Sequence, residues 1–327
     1  MKKQWLNNGC YSLTGLLVLA TVSTEIPFAQ ELRYKNEVSI KIEGDKRVIR
    51  ANGIPDHQPG QFPNRGNPNS VLPQQYTFTV PAKPVYREET TSVDRLIFGV
   101  ALNGVVFDPA TAEFWRNDRS SGWNIEALTK GPSLGIDWSN AHVQPTGAYH
   151  YHGIPQGLIN TLKKDGQPTL VGFAADGFPI YNQEGYTDAA DMNSPLRTLK
   201  SSWRLKSGTR PTGPRGTYDG TYTADWEYVR GLGDLDESNG RFGKTPEYPD
   251  GIYYYVITKE FPMIGRTFHG TPDQSFRHGP PSFGGPGGRP GFPPPPPPIR
   301  RGGGGEESRS SNQDIPHSHG GSQTHSH

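Results

Sequence analysis

Three histidines lie close together in the segment AHVQPTGAYHYHG, residues 141–153. His150 and His152 are separated by one residue, so in a β-strand their side chains point to the same face. Neutral imidazole is a good ligand for zinc, copper and iron, and a set of three can leave one coordination position open. The spacing therefore predicts a mononuclear transition-metal site formed by His142, His150 and His152.

A tight hairpin would bring His142 beside the other two histidines. Pro145, Thr146 and Gly147 suit a three-residue loop, because proline presets φ at the first turn position and glycine accepts the left-handed conformation. This loop pairs His142 with His150 and places all three imidazoles on one face, with the neighbouring tyrosines on the other. A two-residue turn would shift the register by one and move His142 to the opposite face.

The histidine cluster has a second interpretation, in which it is purely structural. Histidines on strands often form hydrogen bonds with buried carbonyl groups and bind no ion. In the predicted register Asn140 lies opposite His152, where its side chain can accept a hydrogen bond and fix the tautomer of the ring. The residues alone leave both interpretations open.

Two more residues are candidate metal ligands. His57 lies in the loop IPDHQPG and is either a solvated surface histidine or an additional ligand. Asp176 begins the tight turn of DGFPIY, where an aspartate commonly stabilises the backbone before Gly177. If this hairpin faces the histidine hairpin, Asp176 becomes a candidate ligand or general base.

The loop GDLDESNG is a weaker candidate, for calcium. Its carboxylate and amide residues are Asp234, Asp236, Glu237 and Asn239. The spacing departs from a helix–loop–helix calcium site, because Gly240 is one position late and the twelfth position is Thr245 instead of a glutamate. We therefore expect a hydrogen-bonded acidic turn in preference to a calcium site.

Further segments carry a family resemblance, and they extend over roughly residues 34–276. They are NGIPDH (52–57), LNGVVFDP (102–109), DGFPIY (176–181), GLGDLDESNGR (231–241), TPEYPDG (245–251) and FPMIGRTFHGTPDQSF (261–276). Together with YHYH at 149–152 they resemble the YHYH-domain family, which has no settled activity. The resemblance implies a secreted or envelope-associated domain. The family pattern often has a cysteine where this chain has Ser238, which argues against a thiol role there.

The N-terminus has the features of a secretory signal, predicted to span residues 1–29. Lys2 and Lys3 supply a charged region, residues 13–22 an apolar region, and Ala29 a cleavage residue, although Pro27 is unfavourable for cleavage. An uncleaved anchor is the alternative, but the apolar run of about ten residues is shorter than the ~20 that a spanning helix needs. We expect a secreted, periplasmic or cell-envelope protein with no integral membrane segment after signal removal.

Charge and cysteine content exclude several classes of protein. The chain has 33 basic and 32 acidic side chains, a balance that gives no electrostatic case for nucleic acid or an anionic membrane as partner. Cys10 is the only cysteine and lies within the predicted signal. The mature chain therefore has no disulfide, thiolate metal site or cysteine nucleophile.

Strand signals dominate residues 31–278, which are predicted to form one YHYH-type, mainly β domain. Turn pairs between apolar runs predict hairpins at Gly44-Asp45, Asn103-Gly104 and Asp176-Gly177. The run IYYYVI (252–257) predicts a central strand, and short helices are predicted at 111–115 and 124–130. The expected fold is antiparallel and hairpin-rich with long loops, either sandwich-like or an irregular α+β fold.

Residues 279–327 are predicted to be a disordered tail rich in proline, glycine and histidine. It contains a proline run at 293–298 and a glycine run at 302–305, and its composition buries too little apolar surface to fold. Its histidines either bind transition metals weakly or are polar linker residues: His317, His319, His325 and His327. We expect this tail to reach the cell envelope or another protein.

Two functional hypotheses follow from the residues. In the first, the domain binds zinc, copper or iron through the histidine cluster, and a metal-bound water could serve as a nucleophile. In the second, the protein is a non-enzymatic envelope or extracellular interaction module and the YHYH motif is structural. Serine-hydrolase, nucleotide and dinucleotide motifs are missing from the sequence, which leaves open whether the protein is an enzyme.

Overall fold

Short strands joined by tight turns make up most of the protein. The computed structural model describes residues 32–94, 96–128 and 134–278. Its strands are β1 (Val38–Glu43), β2 (Lys46–Ala51), β3 (Tyr76–Pro81), β4 (Thr91–Ser92), β5 (Gly99–Ala101), β6 (Val106–Phe107), β7 (Ala141–Val143), β8 (Tyr149–Tyr151), β9 (Leu170–Ala174), β10 (Pro179–Asn182), β11 (Glu184–Tyr186), β12 (Leu196–Thr198), β13 (Trp203–Leu205), β14 (Trp226–Tyr228), β15 (Gly240–Thr245), β16 (Tyr248–Ile257) and β17 (Thr267–Phe268). The mainly β fold class is confirmed.

Helical structure within the described residues is limited to short pieces. There is one α-helix, α1 (Gln156–Leu162), and there are four single 3₁₀ turns, Trp115–Asn117, Arg119–Ser121, Thr223–Asp225 and Gln274–Phe276. The predicted helix at 124–130 is wrong over its described part, because Asn124 and Ile125 instead form β-bridges with Phe114 and Tyr222. None of the described helices is long and apolar enough to cross a membrane.

One large sheet contains the histidine hairpin. Its eight strands run in the order β15-β16-β10-β9-β5-β6-β8-β7, so β7 is an edge strand. A separate sheet has the order β1-β2-β3, and β11-β12, β13-β14 and β17-β4 form two-stranded sheets. Most pairs are antiparallel, but β6 runs parallel to β8 and β10 runs parallel to β16. These two parallel junctions join segments that are distant in sequence.

The three predicted hairpins are confirmed, joining β1 to β2, β5 to β6 and β9 to β10. Gly104 and Gly177 have φ of +82° and +92°, conformations that a side chain disfavours. The aromatic run at 252–257 lies in β16, second from the edge of the sheet and not at its centre.

Hydrophobic clusters cover both faces of β16. Tyr253 and Tyr255 belong to the main core, whereas Tyr254 and Val256 belong to a second cluster. Because successive side chains of a strand point to opposite faces, this division explains why the run is apolar without a break.

Two of the three predicted regions are not covered by the described residues. The predicted signal peptide, residues 1–29, and the predicted tail, residues 279–327, lie outside them. The described strands and turns therefore all belong to the predicted β-rich domain, 31–278.

Candidate metal centre

The predicted register of the histidine hairpin is confirmed. β7 pairs antiparallel with β8, with Ala141 opposite Tyr151, His142 opposite His150, and Val143 opposite Tyr149. Gly147 has φ +86°, and its N–H donates to the Gln144 carbonyl over 2.8 Å. A Cβ at position 147 would lie 2.5 Å from Leu72 Cβ, so the site needs glycine for space as well as for conformation.

Alternation along β8 separates the histidines from the tyrosines. Tyr149 and Tyr151 are fully buried in the main core, on the face opposite to His150 and His152. The Tyr149 hydroxyl donates to Asp137 Oδ2 over 2.7 Å. Asp137 Oδ1 also accepts the backbone N–H at the start of β7, over 3.1 Å, which fixes the strand that carries His142.

The three imidazoles converge on one point. Their ring centroids are 4.6 Å apart for His142 and His150, and 4.7 Å apart for each of the other two pairs. One nitrogen from each ring lies within 4.8 Å of the others. The Nε2 atoms of His142 and His152 are 3.1 Å apart. Two imidazole nitrogens bound to one tetrahedral zinc ion would be about 3.3 Å apart, so this pair is already close to a coordinating geometry.

Backbone carbonyl groups select the tautomers of two rings. His142 Nδ1 lies 2.9 Å from the Leu134 oxygen, and His150 Nδ1 lies 3.2 Å from the Ala148 oxygen. Because a carbonyl oxygen only accepts, both Nδ1 atoms carry hydrogen. The Nε2 atoms then present lone pairs, which is the form that a metal ion binds.

Burial keeps the cluster uncharged. His150 and His152 are each 2% exposed, and His142 is half-buried. Burial lowers the pKa of His150 to about 3, with a further contribution from the nearby His142. Burial also lowers the pKa of His142, and holds that of His152 well below its usual value. Neutral imidazoles are the ligand form, so no proton has to be displaced at neutral pH.

His152 is the ring whose hydrogen bonds are incomplete. Its Nδ1 is buried and has no hydrogen-bond partner among the residues that the structure describes. Asn140 was expected to contact this ring, and that expectation is wrong: its side-chain amide donates to the Ile154 carbonyl over 2.9 Å. The Asn140 carbonyl instead accepts the backbone N–H of His152 over 2.8 Å. Asn140 therefore holds the strand and not the imidazole.

The other two candidate ligands have different partners. His57 Nε2 lies 2.9 Å from the Tyr151 hydroxyl, on the core face of β8 and not on the histidine face. Asp176 is buried in the turn between β9 and β10, where it accepts hydrogen bonds from the Tyr255 hydroxyl over 2.6 Å and the Gly270 N–H over 2.9 Å. The structure therefore brings together His142, His150 and His152, and places His57 and Asp176 among other groups.

The acidic loop makes the hydrogen bonds of a turn. Asp236 Oδ1 accepts from the N–H groups of Ser238 and Gly240 over 2.9 and 3.0 Å. Asp234 pairs with Arg197, with 2.8 Å between Oδ2 and Nη1. These carboxylates are thus occupied by protein donors, which agrees with the acidic turn that was preferred to a calcium site.

One acidic residue beside the cluster was not predicted. Asp108 directly follows β6, the strand parallel to β8, and is 3% exposed. Its segment LNGVVFDP contains a predicted hairpin turn and forms part of the family resemblance. An aspartate between the apolar Phe107 and Pro109 was the available signal, because a carboxylate in an apolar run is rarely without a partner or a role.

The fold and the site define a mainly β protein with a buried cluster of three histidines at a sheet edge. The sequence profile of the YHYH protein family matches residues 77–270, more than half of the chain. The chain therefore belongs to the YHYH family. No curated protein matches it. No solved structure matches it either.

Proposed function

We propose that this YHYH protein binds one transition-metal ion through His142, His150 and His152. The observation that carries the proposal is the convergence of three uncharged imidazoles whose nitrogens lie within 4.8 Å of one another. Three histidine ligands and one open position are the arrangement of metal sites that bind water or substrate. Zinc, copper and iron all suit such a ligand set.

A purely structural cluster accounts less well for these contacts. Burying polar groups is unfavourable unless each one is hydrogen-bonded. Without an ion, the short contact between His142 and His152 consumes one nitrogen of each ring, and His152 Nδ1 still lacks a partner in the described structure. A bound cation would give the converging lone pairs a common partner.

We also propose that the protein works outside the cytoplasm. The support is the signal-like N-terminus, with its two lysines, its apolar run and a plausible cleavage residue. A metal-bound water at the open position could act as a nucleophile, which makes a catalytic role chemically available to the site.

Metal stoichiometry tests the proposal. The full chain is expressed without an affinity tag and with the four tail histidines replaced by serine, so that only the domain can bind the ion. Elemental analysis after titration with zinc, copper or iron should give one equivalent. His150→Ala should lose that equivalent, because two imidazoles remain. His57→Gln should keep it, because His57 lies on the opposite face of β8.

The outcome also separates the two functional hypotheses. A protein that takes up no zinc, copper or iron in titration would contradict metal binding and favour the non-enzymatic interaction module. Retention of the ion by His150→Ala would place the binding site elsewhere. Circular dichroism of each variant checks that the fold is intact.

A further inference from the structure

Asp108 lies on the same sheet face as the histidine cluster. β6 and β8 are parallel, with Val106 beside His150 and Phe107 beside Tyr151. The backbone N–H of Asp108 continues this ladder by donating to the Tyr151 carbonyl over 3.0 Å. Because alternate residues of neighbouring strands share a face, Asp108 takes the face of His152.

The contacts of this carboxylate cross the cluster. Asp108 Oδ2 accepts from Gln144 Nε2 over 3.3 Å. Gln144 follows β7, two residues after His142, whereas Asp108 follows β6, and β8 lies between those two strands. A hydrogen bond between their side chains therefore passes over the face of β8 that carries His150 and His152.

Asp108 is buried, and the hydrogen bonds that it accepts are long. Its other contacts are the Ala110 N–H, 3.3 Å from Oδ1, and His278 Nε2, 3.5 Å from Oδ2. The hydrogen bonds from Gln144 and from the Ala110 N–H are both longer than the usual 2.7–2.9 Å of a bond to a charged group. Its burial raises the pKa of the carboxyl above its ordinary value. The charge of Arg266 already favours the charged form, and a nearby metal cation would favour it further.

The Asp108 carboxylate does not supply one of the converging ligand atoms. The described group whose nitrogen or oxygen atoms all lie within 4.8 Å of one another contains the three histidines alone. Its carboxylate therefore lies on the sheet face of the histidines without being one of the three converging ligands.

Resting on the proposed function, we infer that Asp108 faces the open coordination position and accepts a hydrogen bond from the ligand held there. The preferred ligand class is then a neutral donor, such as water or an alcohol. Small anions are disfavoured, because a second negative charge would lie beside a carboxylate in a poorly solvated site. Asp108 thereby acts as a specificity-determining residue of the metal centre.

Anion binding to the cobalt(II)-loaded full chain tests this inference. The tail histidines are again replaced by serine, and azide is titrated while the visible spectrum of cobalt(II) is followed at neutral pH. Asp108→Asn removes the charge and keeps the shape. Asp108→Ser removes the charge and keeps a short acceptor for the Ala110 N–H, so one variant remains if the other does not fold. Both should bind azide roughly tenfold or more tightly than the unsubstituted chain does.

Glu113→Gln is the matched control. Glu113 contributes a negative charge near His142 from a half-exposed position, where solvent screens it. The azide affinity of the Glu113→Gln variant should differ from that of the unsubstituted chain by less than about twofold. The unsubstituted chain gives a check that needs no variant: neutral imidazole should bind to the cobalt(II) form more tightly than azide does.

Each result decides the inference. Unchanged azide affinity in a folded, cobalt-loaded Asp108 variant would overturn it while leaving the proposed metal site intact. Loss of cobalt from both variants would make Asp108 a ligand and would also overturn it. Failure of the unsubstituted chain to bind cobalt would instead contradict the proposed function on which the inference rests.

Discussion

Asp176→Asn should change how the stability of the protein depends on pH. The Asp176 carboxyl is 1% exposed and accepts hydrogen bonds from the Tyr255 hydroxyl and from the N–H groups of Gly270 and Phe178. Burial disfavours the charge and these donors favour it. Burial is the larger effect, and it raises the pKa of Asp176 to about 6.

The size and sign of the effect follow from this pKa. The pKa of Asp176 rises from 3.8 in the unfolded chain to about 6 in the folded one. A pKa difference of roughly two changes the free energy of unfolding by about 3 kcal/mol. Between these values the folded state holds a proton that the unfolded state releases. The contribution of Asp176 is therefore fully present below pH ~4 and is lost as pH rises through ~6.

Urea unfolding of the metal-free protein measures this contribution. The free energy of unfolding is compared between the unsubstituted chain and Asp176→Asn at pH 4 and at pH 7.5. The asparagine does not titrate, so the unsubstituted chain should lose about 3 kcal/mol relative to the variant over this range. A constant difference would refute the reasoning. A change of opposite sign would show that the three donors outweigh burial and hold a charged carboxylate.

Four further predictions follow from individual contacts. Tyr149→Phe should keep one equivalent of metal and lower the free energy of unfolding by about 1–2 kcal/mol, measured by urea unfolding, because the hydrogen bonds of the hydroxyl group with Asp137 and Ser139 are lost. Gly147→Ala should cost at least about 1 kcal/mol and weaken metal affinity in titration, since φ is +86° and the added Cβ lies 2.5 Å from Leu72. Arg210→Met should lower the free energy of unfolding by about 3–5 kcal/mol, because the fully buried carboxylate of Asp225 loses its charged partner. Arg204→Ala, in the exposed pair with Glu227, should lower it by less than about 1 kcal/mol. Truncation at position 280 should leave the melting temperature nearly unchanged, because the tail has few apolar side chains to contribute to a core.

Local patterns in the sequence were sufficient to predict the histidine cluster. Pro145 and Gly147 each satisfy one turn position, and the period of two along YHYH then assigns the faces. The whole prediction depends on a hairpin with no intervening long-range contact. For this reason the register of His142 opposite His150 could be derived from residue types alone.

Contacts between distant segments could not be predicted in the same way. Asp108 lies beside the cluster because β6 and β8 pair in parallel, and no turn or spacing in the sequence specifies that pairing. His57 contacts Tyr151 from a loop distant in sequence, so its face could not be assigned. Helix α1 was missed because it is short and begins directly after Pro155, without a capping side chain.

Extended X-ray absorption fine structure of the zinc-loaded protein tests the central claim most directly. The full chain with its tail histidines replaced by serine is loaded with one equivalent of zinc. The account predicts three imidazole nitrogens at about 2.0–2.1 Å and one further light ligand, and it predicts that His152→Ala, like His150→Ala, no longer holds the zinc. A first shell made of oxygen atoms, or an imidazole count that does not change in His152→Ala, would contradict a metal centre formed by His142, His150 and His152.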